Sequence, residues 1–430
     1  MNFRKSLVAF VPAMALLAGA ATARAANTDS YTLDGSGNIT VDNAAGTATF
    51  TAKPIYITGS TALEPVLKAV GPALTTAPTP YVIVYDKSLG SCGGAALVAN
   101  PPMPIASTTT MYYVPAGGDG TVNATCTQPA TPVSPPYTLV LSDVDISLCP
   151  GSPAVPTTAH DFNGPVNDMV LVVPASSTQK AISAEDVYLM FGMGASGMVS
   201  PWVDPTAYFT RSNTSGTRAM IAINSGLGAH DWQGMPQTGS GPVFNAVVAN
   251  NQTAAEKTIG ILGEDFYDAS TGGVSNRNSV KALAFRGFHQ QLAYWPDSTL
   301  TSRDRRNVRD GRYAIWGYVH TLANVDGTGT PTDAGAKYFI DLLSGNLASP
   351  PVDVLSLTVS SHLTPVCAMN VTHAKEGAPM TPYTPAAPCG CAFDTKVAGT
   401  APASCMACTM DSDCTSSSAT HCRFGYCEAH

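Results

Sequence analysis

The stretch Arg211–Thr217 combines residue types that bind small anions. It separates a predicted short strand from a predicted helix, and the first N–H groups of a helix have no intrahelical partner and lie at its positive end. Ser215 and Thr217 add hydroxyl groups, and Gly216 allows close approach of the backbone. Arg211 adds a rigid fork of donors suited to an oxyanion. Taken alone, the Ser-Gly-Thr turn is also compatible with an ordinary helix cap.

Three further predicted strands end in short polar loops: Ile55–Thr58, Tyr81–Tyr85 and Thr138–Leu141. The first loop carries Ser60 and Thr61, the second Ser91 and the third Asp143. Ligands of open α/β sheets sit at the carboxyl ends of the strands. We therefore expect these loops to lie together with Arg211 and the Ser-Gly-Thr turn.

Asp143 indicates which oxyanion such a site would prefer. An ionised carboxylate accepts hydrogen bonds and cannot donate them, so it favours an anion that still carries a proton. Hydrogen phosphate has that proton near neutral pH, whereas sulfate does not. Opposed, unpaired acceptors would cost several kcal/mol. Without the other loops, Asp143 is equally compatible with an Asx turn or a helix cap.

The composition describes an acidic chain with a large apolar content. Its 430 residues have a formal net charge of -8, 12% charged residues and 44% hydrophobic ones. This length and apolar fraction predict two domains or lobes with appendages. The small number of basic residues argues against a nucleic-acid partner.

The first 25 residues have the pattern of a signal peptide. Arg4 and Lys5 precede an apolar run, which ends in the cleavage pattern Ala23-Arg24-Ala25. The run is too short for a membrane span, and no later stretch is long enough. No cysteine follows the cleavage site as a lipid anchor. We therefore expect a periplasmic or secreted protein with no membrane insertion.

Eleven cysteines in an exported chain predict disulfides. Seven of them lie between residues 389 and 430, in a segment too poor in apolar residues to form a core without cross-links. In the body of the chain, Cys92 could pair with Cys126 or Cys149. Zinc binding by Cys405, Cys408 and Cys422 with His421 is a less favoured alternative. The odd total predicts one free thiol or an intermolecular bond.

Strands alternate with helices from residue 53 to 365, which predicts an α/β fold. Within it, the motifs R-x-x-x-S-G-T at Arg211–Thr217, G-S-x-G-G at Gly90–Gly94 and S-D-V at Ser142–Val144 resemble those of the periplasmic phosphate-binding proteins of ABC importers. The resemblance spans about Ile55–Pro365. It departs from the family in the first loop, where the usual threonine is replaced by Ala62 or Leu63 and where Ser60 or Thr61 would substitute. A Pro-rich insertion between residues 94 and 142 is a second departure.

The resemblance implies a type II periplasmic-binding fold with a ligand cleft between two lobes. The first lobe would comprise residues 53–150 and 290–365 and the second residues 151–289. An N-terminal extension (26–52), a linker (366–388) and an independently folded cysteine-rich module (389–430) would complete the mature chain. The resemblance also implies phosphate or a related oxyanion as ligand, an ABC permease as partner, and no cofactor or metal. The phosphate ligands would be Ser60, Thr61, Ser91, Asp143, Arg211, Ser215, Gly216 and Thr217.

Two other functional classes compete with this interpretation. The sequence contains no G-x-S-x-G, P-loop or H-E-x-x-H motif, so an enzyme is disfavoured. The second is a surface or scaffold protein that keeps the binding fold without transport, and the cysteine-rich C-terminal segment is its main support. The direction in which Arg211 and Asp143 point separates scaffold from binding protein.

Overall fold

The structure is a computed structural model that describes residues 31–33, 39–41, 51–75, 77–98, 103, 105, 110–113, 124–127, 136–151, 155–228, 232–416 and 419–428. The predicted signal peptide lies outside the described residues, as do parts of the N-terminal extension and of the Pro-rich insertion. Across the described part of the chain, no helix is both long enough and apolar enough to span a bilayer.

Ten α-helices are found in the described residues. They are α1 (Glu64–Leu74), α2 (Gly90–Val98), α3 (Ala184–Met193), α4 (Gly216–Ser225), α5 (Ser240–Ala249), α6 (Glu264–Asp268), α7 (Arg306–Arg309), α8 (Ala334–Leu343), α9 (Val354–Ser360) and α10 (Gly390–Ala398).

The strands before residue 212 are β1 (Tyr31–Leu33), β2 (Ile39–Val41), β3 (Thr51–Gly59), β4 (Tyr81–Asp86), β5 (Thr110–Tyr113), β6 (Ala124–Thr127), β7 (Leu139–Ser142), β8 (Ala159–Pro174), β9 (Ala181–Ser183) and β10 (Tyr208–Arg211). The later strands are β11 (Met235–Gln237), β12 (Ile259–Gly263), β13 (Ser270–Thr271), β14 (Val274–Ser275), β15 (Val280–Ala282), β16 (Ala284–Arg286), β17 (Trp316–Asn324), β18 (Val371–Thr372), β19 (Thr381–Pro382), β20 (His421–Arg423) and β21 (Tyr426–Glu428).

Two sets of strands have the same order. In the first set, β3 lies parallel to β4 and β7, and β17 runs antiparallel to β7, which gives the order β4-β3-β7-β17. In the second set, β10 lies parallel to β11 and β12, and β8 runs antiparallel to β12, which gives β11-β10-β12-β8. The two predicted α/β lobes are therefore present. Their common strand order was not visible in the sequence, where no internal repeat is apparent.

The long strand β8 joins the two lobes. Its first part, from Ala159 to Asp168, pairs with β17, and its second part, from Met169 to Pro174, pairs with β12 and β15. The burial of β8 matches this role, because residues 164–174 are buried without interruption. A strand covered on both faces reads as a continuous apolar run, as Met169–Val173 does.

Helices cover the sheet of each lobe with apolar side chains. In the first lobe Ile57, Leu67 and Phe339 belong to one buried cluster, in which each side chain is at most 1% exposed. In the second lobe Val172 and Val247 belong to another cluster and are fully buried. This packing fixes the strand ends from which the polar loops emerge.

The segment Gly90–Gly94 is a helix, not the loop predicted from its small residues. It forms the first half of α2, which ends at Val98. Gly90, the first residue of the helix, has a φ of +66°, a left-handed conformation that glycine adopts without strain. Cys92 is bonded to Cys149, one of its two predicted partners. The side chain of Cys126 lies outside the described residues.

All seven cysteines of the C-terminal segment form disulfides, which excludes them as zinc ligands in this state. The pairs are Cys367–Cys389, Cys391–Cys405, Cys408–Cys422 and Cys414–Cys427. The predicted disulfide-rich character of this segment is therefore confirmed.

The cysteine-rich segment packs against the rest of the chain, and its independent folding stays a prediction. Phe393 on α10 is buried in a cluster with Leu355 of α9, and Asp394 forms an ion pair with Arg309 at 2.5 Å. The guanidinium of Arg309 also stacks over the Phe393 ring, 5.0 Å from its centroid. Residues 290–365 were predicted to belong to the first lobe, yet Arg305 within this range forms an ion pair with Asp268 of the second lobe.

Residues 366–388, predicted to be a linker, include a strap that we define as residues 371–382, in which His373 and Glu376 are buried. Glu376 of the strap is 1% exposed and accepts hydrogen bonds from the Asp145 N–H and from Nε2 of His320, each at 2.9 Å. The other ring nitrogen of His320 is 2.7 Å from Asp161. Gly317 makes room for the strap, because a Cβ atom there would lie 2.5 Å from the Glu376 side chain.

The two carboxylates beside His320 predict a pH dependence of stability. Burial lowers the pKa of His320, but hydrogen bonds to Asp161 and Glu376 outweigh this effect and raise the pKa from 6.5 to about 10. The folded state then holds a proton that the unfolded state releases, so the stabilisation is full below pH 6.5 and is lost as pH rises to 10. We expect the free energy of unfolding to fall by a few kcal/mol, as an order of magnitude, over that window. Urea titrations should show a flatter dependence for His320→Gln, and parallel curves for the two proteins would contradict the assignment.

Candidate oxyanion-binding cleft

The two lobes meet at the carboxyl ends of their parallel strands. The Cys92 N–H, at the start of α2, donates a hydrogen bond to the Thr214 carbonyl, at the entrance to α4, at 3.0 Å. Gly90 lies at the same contact, because a Cβ atom on it would be 3.2 Å from that carbonyl. The loops that the sequence analysis singled out therefore lie on both sides of one cleft.

On the first lobe, three predicted ligands form one hydrogen-bonded group. The Ser60 hydroxyl donates to Oδ1 of Asp143, and the Asp143 N–H donates to the Ser91 hydroxyl at 3.2 Å. Ser60, Ser91 and Asp143 are 2%, 2% and 6% exposed. Their hydroxyl and carboxylate groups converge because β3, β4 and β7 are neighbours in the sheet.

The helix α4 of the second lobe approaches this group through Gly216. A Cβ atom at Gly216 would lie 2.6 Å from the Ser91 hydroxyl oxygen, 2.7 Å from Cβ of Asp143 and 2.9 Å from its Oδ2. Only glycine fits at that distance. The predicted residues Ser91, Asp143 and Gly216 are thus in one place although they come from different lobes.

Ser215 and Thr217 flank this contact at the first turn of α4. Ser215 is the N-cap of the helix, and its hydroxyl accepts a hydrogen bond from the Arg218 N–H at 3.5 Å. Both residues are buried, at 5% and 3% exposure. Ser215 therefore does cap the helix, which is the alternative role that the sequence left open. Capping does not exclude ligand binding, because a hydroxyl that accepts a hydrogen bond keeps its own proton free to donate.

Arg211 is a buried cation without a paired anion. It is 8% exposed, its Nη1 donates to the Ser240 hydroxyl at 2.9 Å, and its Nε is buried without a hydrogen-bond partner. Among the described residues, no carboxylate oxygen forms a salt bridge with it within 4.0 Å. Burial lowers the pKa of Arg211, while the charges of Asp143 and Asp265 act in the opposite direction.

Asp265 and Ser240 belong to this site and were not predicted. Asp265 is half-buried at the start of α6, directly after β12, and Asn167 donates to it at 3.4 Å. Burial and the charge of Asp143 raise the pKa of Asp265 to about 7. Both residues follow strands of the second lobe, so the reasoning applied to the first-lobe strand ends would have found them.

The groups around Asp143 shift its pKa in opposite directions. Burial raises its pKa, and the Ser60 hydroxyl, the charge of Arg211 and the Ser91 hydroxyl counteract this. His320 lowers it further from behind, since it pairs with Ser142 across β17 and β7. The net direction is upward, which favours the protonated form more than in water.

Thr61 stands apart from this cluster. It lines a cavity of about 520 Å³ that opens between the start of α1 and the start of α5, where Ser240 and Asp265 form the opposite wall. The structure thus places Ser60 with Asp143 and leaves Thr61 on the open side of the same cleft.

The chain is therefore a two-lobed α/β protein with a polar cleft between the lobes and a disulfide-rich C-terminal module. This confirms the predicted fold class. No family model matches the sequence, and no curated protein matches it.

Several solved structures resemble this chain. One is a phosphate-bound structure from Clostridium perfringens, described as a phosphate ABC transporter substrate-binding protein (14% identity, 73% of this chain, 100% of that chain, TM-score 0.47). Others are an ABC-type phosphate transport receptor from Vibrio cholerae (14%, 73%, 100%, 0.44) and PstS from Borrelia burgdorferi (12%, 73%, 98%, 0.37). Because these TM-scores are below 0.5, neither fold nor ligand is inferred from the neighbours.

The close approach at Gly216 predicts the effect of a single methyl group. Gly216→Ala should hold the lobes apart, because the new Cβ would overlap Ser91 and Asp143. We expect a larger radius of gyration in small-angle X-ray scattering. Gly228→Ala is the matched control, since nothing lies within 4 Å of a Cβ there. Equal radii for the two variants and the wild type would show that the contact does not hold the lobes together.

The raised pKa of Asp265 predicts that its ionisation destabilises the ligand-free protein. The folded-state pKa lies above the ordinary value of 3.8, so stability is lost as pH rises from about 4 to 7. Asp265→Asn removes that charge while keeping an acceptor for Asn167. In thermal unfolding, the variant should gain on the order of 1–3 kcal/mol over wild type at pH 8 and little at pH 4. A difference that does not change with pH would contradict the raised pKa of Asp265.

Proposed function

We propose that this protein is an exported solute-binding protein that captures phosphate, or a related protonated oxyanion, between its lobes. The observation that carries the proposal is the state of Arg211. A buried charge without a counter-charge is costly, and buried charges in proteins are normally paired. A guanidinium buried at a cleft, with an unpartnered Nε, has the properties of a group that awaits an anion.

The groups around Arg211 suit a tetrahedral oxyanion. The first amides of α4, at Gly216 and Thr217, supply donors at the positive end of a helix. Ser91 and Ser215 add hydroxyls, and Asp143 supplies an acceptor for a proton on the ligand. An ion that is fully ionised would meet that carboxylate without a proton to share, so the site should prefer hydrogen phosphate to sulfate.

The cleft favours binding over the scaffold alternative. A scaffold has no need of a buried cation at a lobe interface, and Arg211 and Asp143 both lie at that interface. The chain passes between the lobes in β8 and returns between β15 and β17, and these two crossings would permit hinge closure on the ligand. Delivery to an ABC permease, together with export guided by the 1–25 signal peptide, completes the proposed role, for which no enzymatic step is needed.

The test is calorimetric titration with phosphate, arsenate and sulfate at neutral pH. Arg211→Ala should weaken phosphate binding tenfold or much more, because charge-assisted hydrogen bonds contribute about 1.5–3 kcal/mol each. Asp143→Asn should chiefly reduce the preference for phosphate over sulfate, since the amide can donate to a fully ionised anion.

Arg286→Ala is the matched control, because Arg286 is exposed and forms a surface ion pair with Glu185. It should bind phosphate as the wild type does. Equal, weak binding by wild type and Arg211→Ala would end the oxyanion proposal and leave the scaffold alternative.

A further inference from the structure

The strap reaches from the first lobe to the helix that begins with the Ser-Gly-Thr turn. Its two ends, β18 and β19, pair with each other and form a hairpin. Between these ends, Gly377 lies so close to α4 that a Cβ atom there would be 2.5 Å from Cγ1 of Ile223. Ile223 lies about two turns after Gly216 on the same helix. The strap therefore touches the second lobe through the helix whose first turn lies in the cleft.

One face of β17 anchors the strap to the first lobe. Trp316 and Tyr318 alternate along this strand, so their side chains lie on the same face. The ring centroid of His373 lies 4.0 Å from that of Trp316 and 5.6 Å from that of Tyr318, and the hydroxyl groups of Tyr318 and Thr372 are 2.8 Å apart. Because β17 is buried from Trp316 to Ala323, the strap rests on a rigid base.

Glu376 holds the loop that carries Asp143. Its Oε2 accepts a hydrogen bond from the Asp145 N–H at 2.9 Å, and its Oε1 is 2.9 Å from Nε2 of His320. His320 in turn pairs with Ser142 across β17 and β7. Asp143 is thus fixed from both directions along the chain, by the strand before it and by Glu376 after it.

The carboxyl group of Glu376 suits this role because it is ionised. Burial raises its pKa, but the hydrogen bond and the charge of His320 outweigh this effect and lower the pKa below its ordinary value. An ionised carboxylate has only acceptors, so it can satisfy N–H groups from two elements at once. A protonated carboxyl group would place a donor opposite one of these N–H groups.

Gly317 brings the strap, β17 and α4 side by side. A Cβ atom there would lie 2.5 Å from Cγ of Glu376 and 2.5 Å from Cε of Met220, which belongs to α4. Met220 and Ile223 are three residues apart and lie on the same side of that helix. One side of α4 therefore faces both β17 and the strap residues Glu376 and Gly377.

We propose that the strap is a positioning element of the oxyanion cleft, in which Glu376 fixes Asp143 of the first lobe and Gly377 fixes α4 of the second. Without Glu376, Asp143 would be free to turn away from a fully ionised anion, so the rejection of sulfate depends on the strap. This inference rests on the proposed function and adds a determinant of its selectivity.

The first experiment is calorimetry of the full chain with phosphate and sulfate at neutral pH. Glu376→Ala should lower the ratio of phosphate affinity to sulfate affinity by about tenfold, the effect of one lost hydrogen bond to a charged group. Glu376→Gln keeps an acceptor for the Asp145 N–H and should restore most of the ratio.

Glu428→Ala is the matched control. Glu428 is also a buried carboxylate that accepts backbone hydrogen bonds, from the N–H groups of Cys391 and Ala392 in the cysteine-rich segment. This variant should keep the wild-type ratio. An unchanged ratio in Glu376→Ala would overturn the positioning role and leave the proposed function intact, whereas a wild type that binds neither anion would overturn both.

A steric variant tests the contact with α4 without removing a buried charge. Gly377→Ala should weaken phosphate binding by about tenfold, because the new Cβ would press against Ile223. Adding Ile223→Ala should restore the affinity, since it removes the Cγ1 atom at 2.5 Å and leaves Cβ at 3.5 Å.

Gly399→Ala controls for backbone strain in this series. Gly399 has a φ of +73°, close to the +75° of Gly377, but nothing lies within 4 Å of a Cβ atom there. It should bind phosphate as the wild type does. No loss in Gly377→Ala, or an equal loss in the single and the double variant, would show that the strap does not position α4.

Discussion

The contact of Gly216 with Ser91 and Asp143 is the constraint on which the geometry of the cleft depends. It brings the amino end of α4 in one lobe against the start of α2 and the end of β7 in the other, with no space for a Cβ atom. Every other polar group of the site is arranged around that contact, Arg211 on one side and the Ser60–Asp143 pair on the other. A cleft built in this way holds the backbone of α4 against buried side chains and keeps donors in place before a ligand arrives.

The cleft contains one buried guanidinium group and two carboxyl groups, none of which form a salt bridge with one another. Arg211 is shared between two carboxylates, Asp143 and Asp265, and reaches neither within salt-bridge distance. A histidine lies behind Asp143, where His320 is hydrogen-bonded to both Asp161 and Glu376. The protein thus keeps positive charge on both sides of Asp143 without neutralising it directly.

Much of this could be predicted from the sequence, because strand ends in an α/β fold lie at one edge and the polar residues there are visible as motifs. The second-lobe residues Ser240 and Asp265 were missed because only the loops after β3, β4, β7 and β10 were considered. The loops after β11 and β12 lie at the same edge of the sheet and carry these two residues. Gly90–Gly94 was misread because small residues suggest a loop, whereas here they form the first half of a helix in which Ser91, Cys92 and Gly94 are buried. The role of Glu376 was beyond the reach of sequence reasoning. Its burial depends on contacts with His320 and Asp145, which are distant in the chain.

The strap makes the first lobe depend on a segment that comes much later in the chain. Glu376 supplies the partner of a histidine buried in β17, and the strap is bracketed by the disulfide between Cys367 and Cys389. The sheet that carries Asp143 is therefore completed by a carboxylate 56 positions beyond His320 in the chain. A disulfide that closes this loop lowers the chain entropy that is lost when Glu376 reaches His320, so the charge behind Asp143 is coupled to the oxidation state of Cys367 and Cys389.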